Sequence, residues 1–169
     1  WPYAHDVQAA ERADQEKFSR YSDLMAASQG FVVQEILSAY DFSAHTCVLD
    51  VGAGKARFAS ELAMHAPHLQ LKLFDLPPVL QLADAHIQSM GLSERMQLHP
   101  GSFLHDPLPK GADVVTLLRV AHDHPDDVVK KLLVKIHAAL EIGGTLLLAE
   151  PMAQTQSATH AGAAQTDAY

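Results

Sequence analysis

Two periodicities divide the chain at about residue 47. Over residues 10–40, apolar side chains recur every three or four positions: Phe18, Tyr21, Leu24 and Met25, then Val32, Ile36 and Leu37. That spacing puts each set on one face of a helix. Gly30 between the sets predicts two helices rather than one. From residue 47 onward, apolar runs of strand length alternate with helical stretches. Strands are predicted at 47–52 (CVLDVG), 69–75 (LQLKLFD), 95–99 (RMQLH), 112–119 (ADVVTLLR) and 144–150 (GTLLLAE), with helices at about 55–66, 79–90 and 126–140. The first, fourth and fifth runs are nearly continuous in apolar residues, as expected of parallel strands covered by helices on both faces. Alternating strands and helices on short loops predict a doubly wound α/β sheet. Ligands of such sheets bind beyond the carboxyl ends of the strands, where the winding reverses. The residues that follow each strand are therefore the ones to inspect.

Composition narrows the partners. The 169 residues suffice for one α/β core, and 48% hydrophobic with 19% charged residues fits a packed domain. A net charge of −8 argues against nucleic acid, whose phosphates need clustered Lys and Arg, and it suits a cationic ligand. No run reaches the roughly 18–20 apolar residues of a membrane span. The lone Cys47, in an apolar run, reads as an inert thiol in a reducing compartment, so the expected location is cytoplasmic.

The first strand runs into Asp50-Val51-Gly52-Ala53-Gly54-Lys55-Ala56. Gly52 and Gly54 allow a tight strand-to-helix turn and a close approach of ligand to backbone. The second strand ends at Asp75, followed by Leu76 and Pro77. An acid at that place can accept hydrogen bonds from both hydroxyls of a ribose. Either feature alone is weak, since glycines often mark plain turns; together they point to a nucleoside-containing cofactor. A nicotinamide dinucleotide would require a third glycine where Arg57 stands. The residues lean instead towards S-adenosylmethionine, which has no pyrophosphate.

The fourth strand leads into Arg119-Val120-Ala121-His122-Asp123-His124-Pro125-Asp126-Asp127. Pro125 suits the first position of a helix, and Asp126 and Asp127 favour its positive end. His122 is left without a structural task, at the edge of the sheet that carries the glycine turn. It is the candidate general base, and Glu150, ending the neighbouring fifth strand, is the candidate acid that orients it. The His122-x-His124 pair could also suit zinc, but no third ligand stands nearby in sequence; no metal is expected.

These motifs, in this order, resemble the small-molecule O-methyltransferases of the caffeate and acetylserotonin type. The matching stretches are Leu49 to Ala56, Phe74 to Pro77, His122 to His124 and Gly143 to Glu150, within about residues 15–155. Within that family the chain is similar to bacterial carotenoid O-methyltransferases. The traits are the Trp1-Pro2-Tyr3 opening, Tyr21 to Ser28, Gly101-Ser102-Phe103, Arg119 to His124 and Glu150-Pro151-Met152. The resemblance implies a Rossmann-like class I methyltransferase sheet of strand order 3-2-1-4-5, with the final strands missing. It implies a helical lead-in at 1–40, a cofactor-binding core at 41–152 and a truncated tail at 153–169. It also implies S-adenosylmethionine as cofactor, an apolar alcohol or phenol as acceptor, and a homodimeric full-length enzyme.

By position, Asp50, Gly52 and Gly54 would shape the cofactor loop and Asp75 would hold the ribose. Leu76, Ser102, Phe103 and Arg119 would also meet the cofactor, and Tyr21 and Met25 would line the acceptor pocket. Departures are Ala53 and Ala56 where the family has glycine, Ser102 for Asp, His124 for Trp, and Leu118 where many members carry Lys. Without further strands, Thr145 to Leu148 would form an uncovered sheet edge prone to aggregation, and the segment alone would be inactive. Two rivals share the glycine turn: a non-catalytic cofactor-binding regulator, in which His122 would tolerate replacement, and a nicotinamide oxidoreductase.

Overall fold

The computed structural model describes residue 30 and residues 32–150. Tyr21, Met25, the first predicted helix and the proposed tail lie outside the described residues. Residues 32–39 are helical (α1). They are followed by β1 (Cys47–Val51), α2 (Arg57–His65), β2 (Gln70–Asp75), α3 (Pro77–Ser89) and β3 (Met96–Pro100). After these come β4 (Ala112–Leu118), a 3-10 turn (Ala121–Asp123), α4 (Asp126–Ala139) and β5 (Leu140–Ala149). The strands form one sheet in the order β3-β2-β1-β4-β5, every pairing parallel. This is the anticipated order, and the winding reverses beside β1.

Strand alternation sorts the interior into two cores. On one face, Val48, Leu71, Leu73 and Val114 pack under Val33, Ile36 and Leu37 of α1, Phe58 and Leu62 of α2, and Leu80 and Ile87 of α3. On the other, Leu49, Val51, Val115 and Leu117 meet Leu132, Ile136 and Ala139 of α4. β1 and β4 are buried almost throughout. The fifth strand is different. It is an outer strand, only partly covered, and Leu148 is 52% exposed. No neighbour pairs with its far side among the described residues, in line with the uncovered edge expected at Thr145 to Leu148.

β5 also starts earlier than predicted. It leaves α4 directly at Leu140, which pairs with Ala112, but the next pair is Val114 with Thr145. Between these pairs β4 advances from 112 to 114 while β5 advances from 140 to 145, so residues 141–144 bulge outward, with Gly143 at φ +85°. Regular pairing then runs from Thr145 to Ala149. Pro125 is the N-cap of α4 rather than its first helical residue, because its ψ of 151° is extended. Asp126 and Asp127 do occupy the first turn.

Two polar ties fix the frame at the amino edge of the sheet. The Asp113 carboxylate accepts hydrogen bonds from Thr46 N (2.8 Å), Thr46 Oγ1 (2.9 Å) and Cys47 N (3.2 Å), joining the start of β1 to β4. Arg95, predicted as a strand residue, instead donates to the carbonyls of Ala63 (2.8 Å), Ala66 (3.1 Å) and Leu69 (3.1 Å). It thereby satisfies the open end of α2. The catalytic candidates lie at the opposite, carboxyl edge.

Candidate active site

β1 delivers Asp50 into the interior, 5% exposed, where Thr116 of β4 donates to its Oδ1 at 2.6 Å. Burial pushes this carboxyl up to about 7; the Thr116 hydrogen bond opposes the rise and the charge of Asp75 adds to it. The chain then turns at Gly52 (φ +76°) and Gly54 (φ +57°). A Cβ built on Gly52 would lie 2.6 Å from Val120 Cγ2, whereas one on Gly54 would meet nothing within 4 Å. Gly52 is therefore required by the packing of the protein itself. Gly54 faces open space, room that a ligand can use. Ala56, N-cap of α2, also has a positive φ of 61° and is fully buried, so the chain holds an alanine in a left-handed conformation that suits glycine.

Asp75 closes the other side of this turn. Its Oδ2 accepts from Gly54 N at 2.8 Å and its Oδ1 from Leu76 N at 2.7 Å. Burial pushes the Asp75 carboxyl up to about 6, against the two backbone donors. Each oxygen keeps a lone pair for a hydroxyl donor. Leu76 is the N-cap of α3, half-buried beside it. After β3, residues 102–106 fold on themselves. Ser102 O accepts from His105 N (3.0 Å) and Asp106 N (2.7 Å), Asp106 Oδ2 accepts from Ser102 N (2.8 Å), and Ser102 Oγ accepts from Leu104 N (3.3 Å). The Phe103 ring meets His124 edge-on, with centroids 5.1 Å apart.

β4 ends at Leu118, and the backbone N of Arg119 just beyond it still pairs with Ala149 O at 2.8 Å while its φ turns to +57°. That reversal aims successive backbone N–H groups at one point, a small anion-binding concavity. The Glu150 carboxylate fills it. Oε1 accepts from Val120 N (2.9 Å) and Ala121 N (2.8 Å), and Oε2 from His122 N (3.4 Å). Oε2 also lies 2.6 Å from His122 Nδ1. With an acceptor there, the imidazole donates from Nδ1 and leaves Nε2 as the unprotonated nitrogen of the neutral ring, 3.5 Å from Asp123 Oδ1. The Glu150 side chain is 6% exposed and that of His122 30%, so the acid is enclosed and the base is within reach of a ligand.

The structure thus brings His122 and Glu150 into contact. It sets Val120, from the same turn, against the Gly52 backbone, joining the glycine turn to the histidine turn at one sheet edge. Ser102, Phe103 and Arg119 follow β3 and β4 on that edge.

Sequence reasoning missed three neighbours. Thr116, a lone hydroxyl in an apolar strand, was visible as an anomaly. Asp123 Oδ1, 3.5 Å from His122 Nε2, read only as part of a motif. Lys135, whose Nζ donates to Phe103 O and Asp106 O, left no signal on a polar helix face. Among the described residues no group of three or more His, Cys, Asp or Glu could hold a metal, and no helix is long and apolar enough to cross a membrane.

A parallel sheet with a glycine turn after β1, an acid after β2 and a carboxylate-held histidine after β4 is a doubly wound α/β core with its candidate site at the carboxyl edge of the strands. The chain belongs to the O-methyltransferase domain family, whose model matches residues 1–169. It is 46% identical over 153 residues to the demethylspheroidene O-methyltransferase of Rhodobacter capsulatus, covering 90% of this chain but 37% of that protein. Among solved structures, mitomycin 7-O-methyltransferase aligns over 98% of this chain and 48% of its own, with 25% identity and a TM-score of 0.86. Human N-acetylserotonin methyltransferase in complex with S-adenosylmethionine aligns over 86% and 41%, with 27% identity and a TM-score of 0.75. The chain therefore spans less than half the length of these relatives.

Proposed function

We propose that this chain is the cofactor-binding core, residues 41–152, of an S-adenosylmethionine-dependent O-methyltransferase that acts on a hydroxylated carotenoid, with His122 as general base. One observation carries the reading: Glu150 grips His122 Nδ1 at 2.6 Å on the sheet edge where Val120 packs against the Gly52 turn. The acceptor class rests on the likeness to the Rhodobacter protein. The cofactor rests on family membership and on the donor set: an acid with spare lone pairs at Asp75 and the open space over Gly54. In this reading the full-length enzyme is a cytoplasmic homodimer.

When bound, S-adenosylmethionine supplies an electrophilic methyl group on a positively charged sulfur. Asp75 would accept the ribose hydroxyls, Ser102 and Phe103 would flank the adenine, and Leu76 would also meet the cofactor. Asp50, Gly52 and Gly54 shape the turn beneath, and Arg119 borders the cofactor from β4. Tyr21 and Met25 line the acceptor pocket. His122 Nε2 would take the proton of the acceptor hydroxyl. The methyl group would come from the cofactor, the S–CH3 bond breaking with the electron pair left on sulfur as the O–CH3 bond forms, so that S-adenosylhomocysteine is the leaving product. Imidazole is too weak a base to ionise an alcohol beforehand, so proton removal and methyl transfer are concerted. Glu150 stabilises the imidazolium that results, and holding the reacting atoms about 3–3.5 Å apart supplies much of the rate.

The test is turnover of labelled S-adenosylmethionine with a panel of hydroxylated carotenoids and phenols, using wild type and His122→Gln. Methylated carotenoid is expected from wild type. The variant should lose at least ~100-fold in turnover with cofactor Kd within about twofold. Methylation of phenols alone would overturn the acceptor, and equal loss of binding and turnover would make His122 structural. Unchanged turnover in the variant would remove the base. A protein that binds the cofactor but methylates nothing would be a binding protein.

A further inference from the structure

We infer that Lys135 is a positioning residue for the adenine end of the cofactor site, acting through the 102–106 turn. The inference rests on the cofactor reading above. Lys135 stands on α4 next to Ile136, which is fixed in the core at 1% exposure. Its ammonium donates to Phe103 O at 2.7 Å and to Asp106 O at 2.8 Å. Those two carbonyls bracket a turn closed from within by Ser102 O and Oγ as acceptors and by Asp106 Oδ2 on Ser102 N. A surface lysine is ordinarily solvated and holds nothing. Here a charge-assisted pair of bonds ties the only element that carries Ser102 and Phe103 to a helix that cannot shift without opening a core.

The same helix begins at the end of the histidine turn. Pro125 caps α4, and His124, one residue earlier, takes the edge of the Phe103 ring. The adenine-flanking turn and the segment bearing His122 therefore share α4 as their reference. Lys135 sets the height of Phe103 relative to that segment. Its removal should loosen adenine recognition without touching the proton transfer.

Lys135→Met keeps the alkyl stem and removes every donor. Affinities for S-adenosylhomocysteine and for 5′-methylthioadenosine are measured by calorimetry, beside steady-state kinetics and the unfolding midpoint without ligand. Both affinities should weaken by the same factor, on the order of tenfold. The kcat at saturating cofactor and the acceptor KM should stay within about twofold, and Lys135→Arg, which can still reach two carbonyls, should recover most of the loss. Unchanged affinities in the Met variant would overturn the inference. So would weakening confined to S-adenosylhomocysteine, or a loss that tracks a fallen unfolding midpoint and is not rescued by Arg. Wild type that binds neither ligand would overturn the cofactor reading itself, and this inference with it.

Discussion

Gly52→Ala probes the contact between the glycine turn and the histidine turn. The new methyl would be asked to occupy a position 2.6 Å from Val120 Cγ2, well inside van der Waals contact, on a backbone with φ +76°. Two costs follow. Holding an alanine in the left-handed region costs about 1–2 kcal/mol. Overpacking against the half-buried Val120 side chain costs about 1–3 kcal/mol. Together these destabilise the protein by about 2–5 kcal/mol, a fall in urea midpoint of roughly 1–2 M. The two costs are separable. Val120→Ala removes both γ carbons but keeps Cβ, which would lie an ordinary 3.7 Å away. In a double-mutant cycle, Val120→Ala should therefore recover the steric part, giving a coupling of about 1–3 kcal/mol, and leave the dihedral part intact. A coupling near zero would show that Val120 does not press on Gly52, and the link between the two turns would fail with it.

Other variants test the remaining geometry. Glu150→Gln places an amide among three backbone N–H groups and the His122 Nδ1; turnover should fall about 10–100-fold and stability by about 1–3 kcal/mol, and full activity with unaltered melting would refute the carboxylate's role. Asp50→Asn addresses the buried carboxyl that burial pushes up to about 7. The folded protein holds this proton more tightly than the unfolded chain does, so wild-type stability falls as pH rises from about 4 to 7. The asparagine variant lacks that loss and should gain on wild type as pH is raised from 5 to 8 in thermal melts. A pH-independent difference between the two would contradict the assignment.

Much of the sheet could be read from periodicity because β1, β2 and β4 are interior strands whose apolar runs have no other use. The strand order followed from the family motifs, not from the runs themselves. The edge position of β5 matches the expected order, whereas its expected cover by helices on both faces does not: the strand is only partly buried, because an apolar run does not encode how completely its faces are packed. The extra residues 140–143 in β5 escaped notice because Gly143 and Gly144 look like a turn, and here a positive φ serves a bulge instead. His122 and Glu150 were legible as a pair because parallel strands bring their carboxyl ends together. That Glu150 also collects the Val120 and Ala121 amides was not, since it depends on the left-handed backbone at Arg119, a residue type that gives no warning of it. Lys135 was invisible for a related reason: its partners are carbonyl oxygens, which every residue has.

The bulge at 141–144 has a bearing on how the site tolerates change. Ile142 at its tip is fully exposed, and pairing resumes only at Thr145, so this stretch is slack in the chain between α4 and the last five paired residues. Shortening or lengthening it by a residue among the exposed positions 141–143, ahead of the packed Gly144, alters chain in solvent, while Thr145 to Ala149 stay paired with β4 and carry Glu150 to the same place. Length variation along this border is thereby insulated from the carboxylate at its end.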